Sequence, residues 1–153
     1  MVIYTVGTFD LLHVGHLDLL EYCKTLGEKD DKFVVGVASD EVVGSYKRNV
    51  PVIPLEQRME MIKALRCVDD VVSYDKLDYV SNCKALDVDI FVIGEDWGDQ
   101  EHNIAVEKYL KSKGKKIVQV TYNPLTSSTK IKQNVVAQSH KGKYMTHTVI
   151  AGK

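Results

Sequence analysis

Gly7-Thr8-Phe9-Asp10-Leu11-Leu12-His13-Val14-Gly15-His16 lies between the apolar run Val2-Ile3-Tyr4-Thr5-Val6 and the leucine-rich segment Leu17-Asp18-Leu19-Leu20-Glu21-Tyr22. The three pieces read as a strand, a tight turn and the start of a helix. His13 and His16 stand at the turn with Gly15 between them. Gly15 has no side chain, so a phosphate can approach the backbone closely. The free N–H groups of a new helix favour an anion at that point. Imidazoles can donate hydrogen bonds to phosphate oxygens. The junction carries donors and no obvious nucleophile, which suits a site that binds and polarises a nucleoside triphosphate.

Outward from this junction, strands and helices alternate. Leu17–Leu26 reads as a helix stopped by Gly27. Phe33-Val34-Val35-Gly36-Val37-Ala38 reads as a strand covered on both faces, and Ser39 to Ile53 as a long connection. A helix opens at Pro54, with Met61, Ile62, Leu65 and Val68 as its apolar stripe. Val71-Val72 is a short strand, Asp78–Leu86 a helix and Asp89–Gly94 a buried strand. Ile104–Lys113 is a helix ended by Gly114, and Lys116–Tyr122 is a strand. Ser127 or Ser128 can cap a last helix that runs to about Val136. Repeated βα units imply an α/β chain with a Rossmann-like, doubly wound parallel sheet of about five strands and helices on both faces. Residues 1–138 form the expected domain, and Ser139 to Lys153, rich in Lys, His and Thr, is expected to be a tail or a late strand.

Composition narrows the function classes. The chain has 153 residues, 44% of them hydrophobic and 27% charged, with a formal net charge of −1. That length supports one domain with a core. The charge balance gives no sign of nucleic acid or a membrane surface as partner. No apolar run approaches the ~20 residues that span a bilayer, so no membrane insertion is expected. Cys23, Cys67 and Cys83 are far apart and form no CxxC pair. They read as reduced thiols in a cytoplasmic protein.

In a parallel sheet, ligands bind beyond the carboxyl ends of the strands. Two further segments follow strands there. Thr126-Ser127-Ser128-Thr129-Lys130-Ile131-Lys132 places hydroxyls, backbone N–H groups and two lysines at a helix start, a cradle for β- and γ-phosphates. Gly94-Glu95-Asp96-Trp97 carries the only tryptophan, on which a base or ribose could stack, beside carboxylates that could accept from sugar hydroxyls.

The stretch from Gly7 to His16 resembles the HxGH signature of the nucleotidyltransferase superfamily, and most of all its cytidylyltransferase branch. Thr126–Thr129 resembles the superfamily's second signature, and Gly94-Glu95-Asp96-Trp97 an element of glycerol-3-phosphate cytidylyltransferases. Glu56-Gln57-Arg58 and Arg66-Cys67-Val68-Asp69 match a third pattern of that branch, in which the first arginine helps form the active site and Arg66 and Asp69 would support it. Lys47 and Arg48 fall in the loop where the branch carries lysines for the triphosphate. The resemblance runs from Ile3 to about Val135. It departs at Tyr122 and Leu125, where the family has arginine and glycine. Tyrosine supplies neither the charge nor the fork of arginine. Lys130, Lys47 or Arg48 would then compensate.

The resemblance implies transfer of CMP from CTP to a small phosphomonoester with release of pyrophosphate. Glycerol 3-phosphate, or another phosphorylated acceptor of capsule or cell-wall polysaccharide synthesis such as phosphoglutamine, would be the acceptor. The acceptor phosphate is itself the nucleophile, so the protein only aligns reactants and stabilises charge. His13 and His16, with Lys47 and Arg58, are the expected catalytic residues. Thr8, Phe9, Asp10 and Gly15 would hold the α-phosphate, and Arg48, Ser127, Ser128, Thr129 and Lys130 the outer phosphates. Asp96 and Trp97 would lie near the nucleoside or the acceptor, and Tyr122 at the acceptor or in the loop beside it. Mg²⁺ should accompany the triphosphate, held mainly by its oxygens and water, with Asp10 a candidate to orient the ion or a histidine. The resemblance also implies a homodimer. Two other readings stay open. The Ser-Ser-Thr core favours an adenylyltransferase of coenzyme synthesis, of an FAD- or NAD-forming type. Tyr122 favours a non-catalytic nucleotide-binding protein on the same fold.

Overall fold

The computed structural model describes residues 1–47, 49–121 and 126–151, with side chains described as far as Ser139. Arg48, Tyr122 and Leu125, named above, lie outside the described residues. In chain order the elements are β1 (Val2–Gly7), α1 (Val14–Thr25), β2 (Lys32–Ala38), α2 (Asp40–Tyr46), α3 (Leu55–Lys63), β3 (Asp70–Tyr74), α4 (Tyr79–Leu86), β4 (Ile90–Gly94), α5 (Glu101–Ser112), β5 (Lys116–Val120) and α6 (Ser128–Ala151).

The five strands form one sheet in the order β3-β2-β1-β4-β5, and every pair is parallel. The expected α/β Rossmann-like architecture is what the chain adopts. Alternate residues of each strand enter opposite cores. Ile3, Phe33, Val35, Val37 and Val92 pack with Leu20, Cys23 and Ile62 from α1 and α3. Tyr4, Val34, Phe91 and Ile93 pack on the other face with Tyr79, Cys83, Val106 and Leu110 from α4 and α5. Gly36 interrupts β2 because the Tyr4 ring crosses it, and a Cβ there would stand 2.2 Å from the Tyr4 hydroxyl oxygen. Cys23 and Cys83 are buried and unpaired, and burial pushes both thiols up to about 12, so they are inert packing groups.

Three local expectations are revised. The connection after β2 contains α2, a short helix capped by Ser39, whose Oγ accepts from the Val42 N–H at 3.2 Å. Helix α1 begins at Val14, within the histidine motif. Helix α6 runs on to Ala151. No proline follows Pro124, so nothing in the backbone stops the helix near Val136.

Chain order reverses at β1. From β1 the chain moves outward to β2 and β3, then crosses back to lay β4 on the other side of β1. The loops after Gly7 and Gly94 therefore leave the sheet at a switch point, and a crevice opens between them.

Candidate active site

Strand β1 ends at Gly7 and the chain turns sharply before α1. Phe9 and Leu11 both take left-handed backbone conformations, with φ of 52° and 50°. Side chains other than glycine are strained there by about 1–3 kcal/mol each. The turn persists because three contacts hold it. Asp10 accepts hydrogen bonds from the N–H groups of Val52 at 2.8 Å and Ile53 at 3.0 Å. The Asp10 carbonyl accepts from the Ser128 hydroxyl at 2.7 Å. The Thr8 carbonyl accepts from the Arg58 guanidinium at 2.7 Å.

Arg58 is 1% exposed and lies beneath this turn. Besides Thr8 it donates to the carbonyls of Ile53 and Ala38, each at 2.8 Å, and to the Asp40 carboxylate at 2.6 Å. It does not line the cleft. Its expected place as a catalytic residue is corrected to that of a positioning residue, because its donors face carbonyls of the scaffold. Asp10, by contrast, lines the cleft. Both its oxygens serve backbone N–H groups, which leaves it poorly fitted as a metal ligand. Among the described residues no group of three or more His, Cys, Asp or Glu side chains could hold a metal ion.

The two histidines cap the helix they open. His13 is the N-cap residue of α1, and its Nδ1 accepts from the Gly15 N–H at 3.1 Å. The His16 Nδ1 accepts from the His13 N–H at 3.3 Å. The rings stack with centroids 3.9 Å apart, and the His16 ring meets Phe9 edge-on. Gly15 is required here, since a Cβ would stand 2.9 Å from both His13 Cε1 and Thr126 Cγ2. Burial lowers the His13 ring below its usual 6.5. Burial first, and then the neighbouring His13, lower His16 to about 4. Near neutral pH both rings are therefore uncharged. With Nδ1 accepting in each, the hydrogen-bond pattern assigns the proton to Nε2. The motif thus presents two neutral N–H donors from a rigid pair.

Stability should follow from this. On acidification the unfolded chain takes up a proton at His16 near pH 6.5, while the folded chain resists until about pH 4. Above that window the ring costs nothing, and the penalty grows as pH falls through it. The urea midpoint should drop between pH 7 and pH 5, and His16→Gln should remove part of the drop. An equal drop in that variant would show that His16 is not the group responsible.

These donors face a cleft of about 580 Å³. Thr8, Phe9, Asp10, His13, Gly15 and His16 line one side, and Thr126 to Thr129 the next. Ser127 caps α6, its Oγ accepting from the Lys130 N–H at 3.0 Å. Lys47 reaches in to 3.4 Å from the Thr8 hydroxyl. Its ammonium has a lowered proton affinity, first from burial and then from Lys132 nearby. Asp96 and Trp97 line the far side. Trp97 is chiefly part of the wall. It stacks on Tyr79 at 5.8 Å, meets Phe91 edge-on, and donates from Nε1 to Glu107 at 2.7 Å.

Three expected residues lie elsewhere. Lys130 is exposed and does not line the cleft. Asp69 sits at the opposite end of the sheet, accepting from the Phe33 N–H at 2.7 Å and from Lys24 at 2.6 Å. Arg66, exposed, belongs to the same turn. Asp69 thus secures the amino ends of the strands, a full strand length from the cleft. Of the two lysines the sequence places at the start of α6, Lys132 lines the cleft, and sequence reading missed an aromatic and apolar wall of Tyr46, Val50, Pro51, Tyr74 and Tyr79. These residues come from α2, the loop after it, β3 and α4, and carry no common spacing. A smaller depression of about 330 Å³ lies on the outer side of Tyr79, beside Glu101 and His102.

A strand, a histidine-capped helix and a hydroxyl-rich helix start converge on one cleft at the switch point. The family model described as cytidylyltransferase-like matches residues 4–134. The chain belongs to the cytidylyltransferase-like family. This places it in the HxGH nucleotidyltransferase superfamily. Among relatives of this family member, the FAD synthase of Methanopyrus kandleri is 33% identical over 141 residues, covering 89% of this chain and 92% of that one. The FAD synthase of Methanobrevibacter smithii is 34% identical over 148 residues, covering 92% and 94%. The lipopolysaccharide core biosynthesis protein of Thermoplasma volcanium shares the fold, with a TM-score of 0.64 at 24% identity over 80% of this chain and 96% of that one. The expectation of CMP transfer from CTP to a small phosphomonoester is overturned by the FAD synthases, which match this cytidylyltransferase-like chain over nearly its whole length. No helix among the described residues is long and apolar enough to cross a membrane.

Proposed function

We propose that this protein is an adenylyltransferase of coenzyme synthesis that joins AMP from ATP to FMN, giving FAD and pyrophosphate. The similarity to FAD synthases over about nine tenths of both chains carries this reading. The cleft supports it. One end is built for phosphates and the other is a broad aromatic and apolar wall, which suits planar rings better than a small polyol phosphate. A volume of about 580 Å³ falls in the usual range of small-molecule sites.

In this reaction an oxygen of the FMN phosphate attacks the α-phosphorus of ATP in line. The bond from that phosphorus to the bridging oxygen breaks, and pyrophosphate leaves with the electron pair. No protein nucleophile is needed. The Nε2–H groups of His13 and His16 donate to oxygens of the α-phosphate as charge builds there. They are neutral before the reaction, and the Nδ1 contacts hold them in place, so little reorganisation is required. The Thr8 and Ser127 hydroxyls position the remaining phosphate oxygens. Mg²⁺ brought with ATP would neutralise part of the charge on its phosphates, and no cluster of described side chains would be needed to hold it.

The test is FAD formation from FMN with Mg²⁺ and either ATP or CTP, followed by chromatography. FAD should form with ATP, and CTP should be at least about tenfold poorer, the equivalent of one discriminating contact. A folded protein that makes no FAD from FMN and ATP overturns the reading.

A further inference from the structure

Tyr46 ends α2, Tyr74 ends β3 and Tyr79 opens α4. All three line the cleft. Their elements follow β2 and β3 on one side of β1, and the hydroxyl-rich turn follows β5 on the other. An in-line transfer brings its two substrates to the histidines from opposite sides. With the hydroxyl-rich turn taken by the nucleotide, the tyrosine side is left to the acceptor. The Tyr79 ring meets Tyr74 edge-on at 5.7 Å and stacks on Trp97 at 5.8 Å, so its plane is fixed. Tyr74 and Tyr79 are buried, and Tyr46 stands half exposed at the rim. Burial first, and then the neighbouring Tyr79 and Tyr46, push the Tyr74 hydroxyl up. Burial raises Tyr79 as well, in part offset by a hydrogen bond from Tyr74. A phenol has one proton, so Tyr79, accepting from Tyr74, still has its own to give. Tyr46 adds a second hydroxyl beside it. Neutral hydroxyls next to the apolar Val43, Val50 and Pro51 suit a flat ring with a polar edge. Lys47 joins this cluster to the phosphate end, its ammonium 5.8 Å from the Tyr46 ring centroid and 3.4 Å from the Thr8 hydroxyl. The tyrosines thus stand one lysine away from Thr8, and an acceptor needs a spacer between its phosphate and its ring to touch both.

We propose that Tyr46 and Tyr79, with Tyr74 behind them, form the acceptor-recognition subsite, in which the two outer hydroxyls bond the carbonyl and imide edge of a planar heterocycle. This deepens the FMN reading and rests on it. The isoalloxazine ring carries such an edge, and the ribityl chain is the spacer.

Titration of the full chain with FMN, and with FMN methylated at the imide nitrogen, followed by flavin fluorescence, tests it. The parent should bind FMN about tenfold more tightly than the methylated form, because the methyl group blocks the edge and leaves the hydroxyls unpaired. Tyr79→Phe and Tyr46→Phe keep the rings and remove the oxygens. Tyr79→Phe should weaken FMN about tenfold, and Tyr46→Phe, at the rim, by less. The double variant should bind the two flavins within about twofold of each other, and its KM for ATP should stay within about twofold of the parent's. Tyr22→Phe, on the exposed face of α1, should bind FMN like the parent. A parent that does not distinguish the two flavins, unchanged FMN affinity in the double variant, or an equal rise in the KM values for ATP and FMN would each overturn the subsite. Discrimination lost in the double variant, in a protein that forms no FAD, would keep the subsite and discard the transfer to FMN. FAD formation without discrimination would do the reverse, and a parent that binds neither flavin would overturn both.

Discussion

Replacing Arg58 with alanine should lower the melting temperature by about 10 °C. The side chain is fully buried, and its donors serve the Thr8, Ala38 and Ile53 carbonyls as well as Asp40. Removing it leaves those carbonyls facing a cavity, at about 1–3 kcal/mol for each that finds no water. Asp40 is 44% exposed and returns to solvent, so the lost ion pair itself adds little. A total of about 4 kcal/mol, at roughly 2–4 °C for each in a domain of this size, gives the expected shift. Arg58→Lys should recover only part of it, because one ammonium cannot reach positions that a planar fork spans. Thermal scans of the three proteins decide the matter. A shift under about 3 °C for the alanine variant would mean that the strained turn is held by other means.

His16→Ala should lower turnover by about 10²–10³-fold, the range for losing one transition-state donor. Stability should change far less. The ring accepts a single backbone N–H, that of His13, and losing such a cap costs about 1 kcal/mol. Parent turnover should not fall between pH 8 and pH 6 through this ring, since burial keeps it neutral down to about pH 4. Steady-state rates with ATP and FMN, read beside a melting curve, separate the chemical loss from a folding loss. A folded variant with parental turnover would remove His16 from the mechanism.

The alternation of elements and the strand–turn–helix junction with its two imidazoles were legible because each has a local signature. Apolar runs of strand length, a glycine between two imidazoles and a hydroxyl cluster before a helix are all written in neighbouring residues. What was not legible depends on long-range packing. Arg58 looked like a reactive cation, and only the tertiary structure surrounds it with carbonyls from β2, the β1 turn and the segment before α3. Asp10 looked like a ligand for a metal until the N–H groups of residues 52 and 53 arrived beside it. Helix α2 escaped notice because seven residues with a glycine and no long apolar stripe resemble a loop. The choice of CTP came from the resemblance to cytidylyltransferase motifs, and the match to FAD synthases overturns it. Trp97 was read as a stacking surface for a nucleoside, yet its indole packs on Tyr79 and Phe91 and bonds to Glu107, so it argues for no particular base.

The reversal of strand order at β1 also sets when the cleft can exist during synthesis. Of the five strands the central one is made first, and its partner β4 comes 87 residues later, as the bond from Thr5 Oγ1 to the Val92 carbonyl records. The contact from Ser128 to Asp10 waits for 118 residues. Contacts so distant along the chain form slowly and late. A nascent chain that has released its histidines still lacks the far wall and the hydroxyl-rich turn, so it cannot capture a nucleotide. A ligand that needs both walls of the cleft would therefore stabilise only molecules in which the Asp10 turn and the start of α6 have already met.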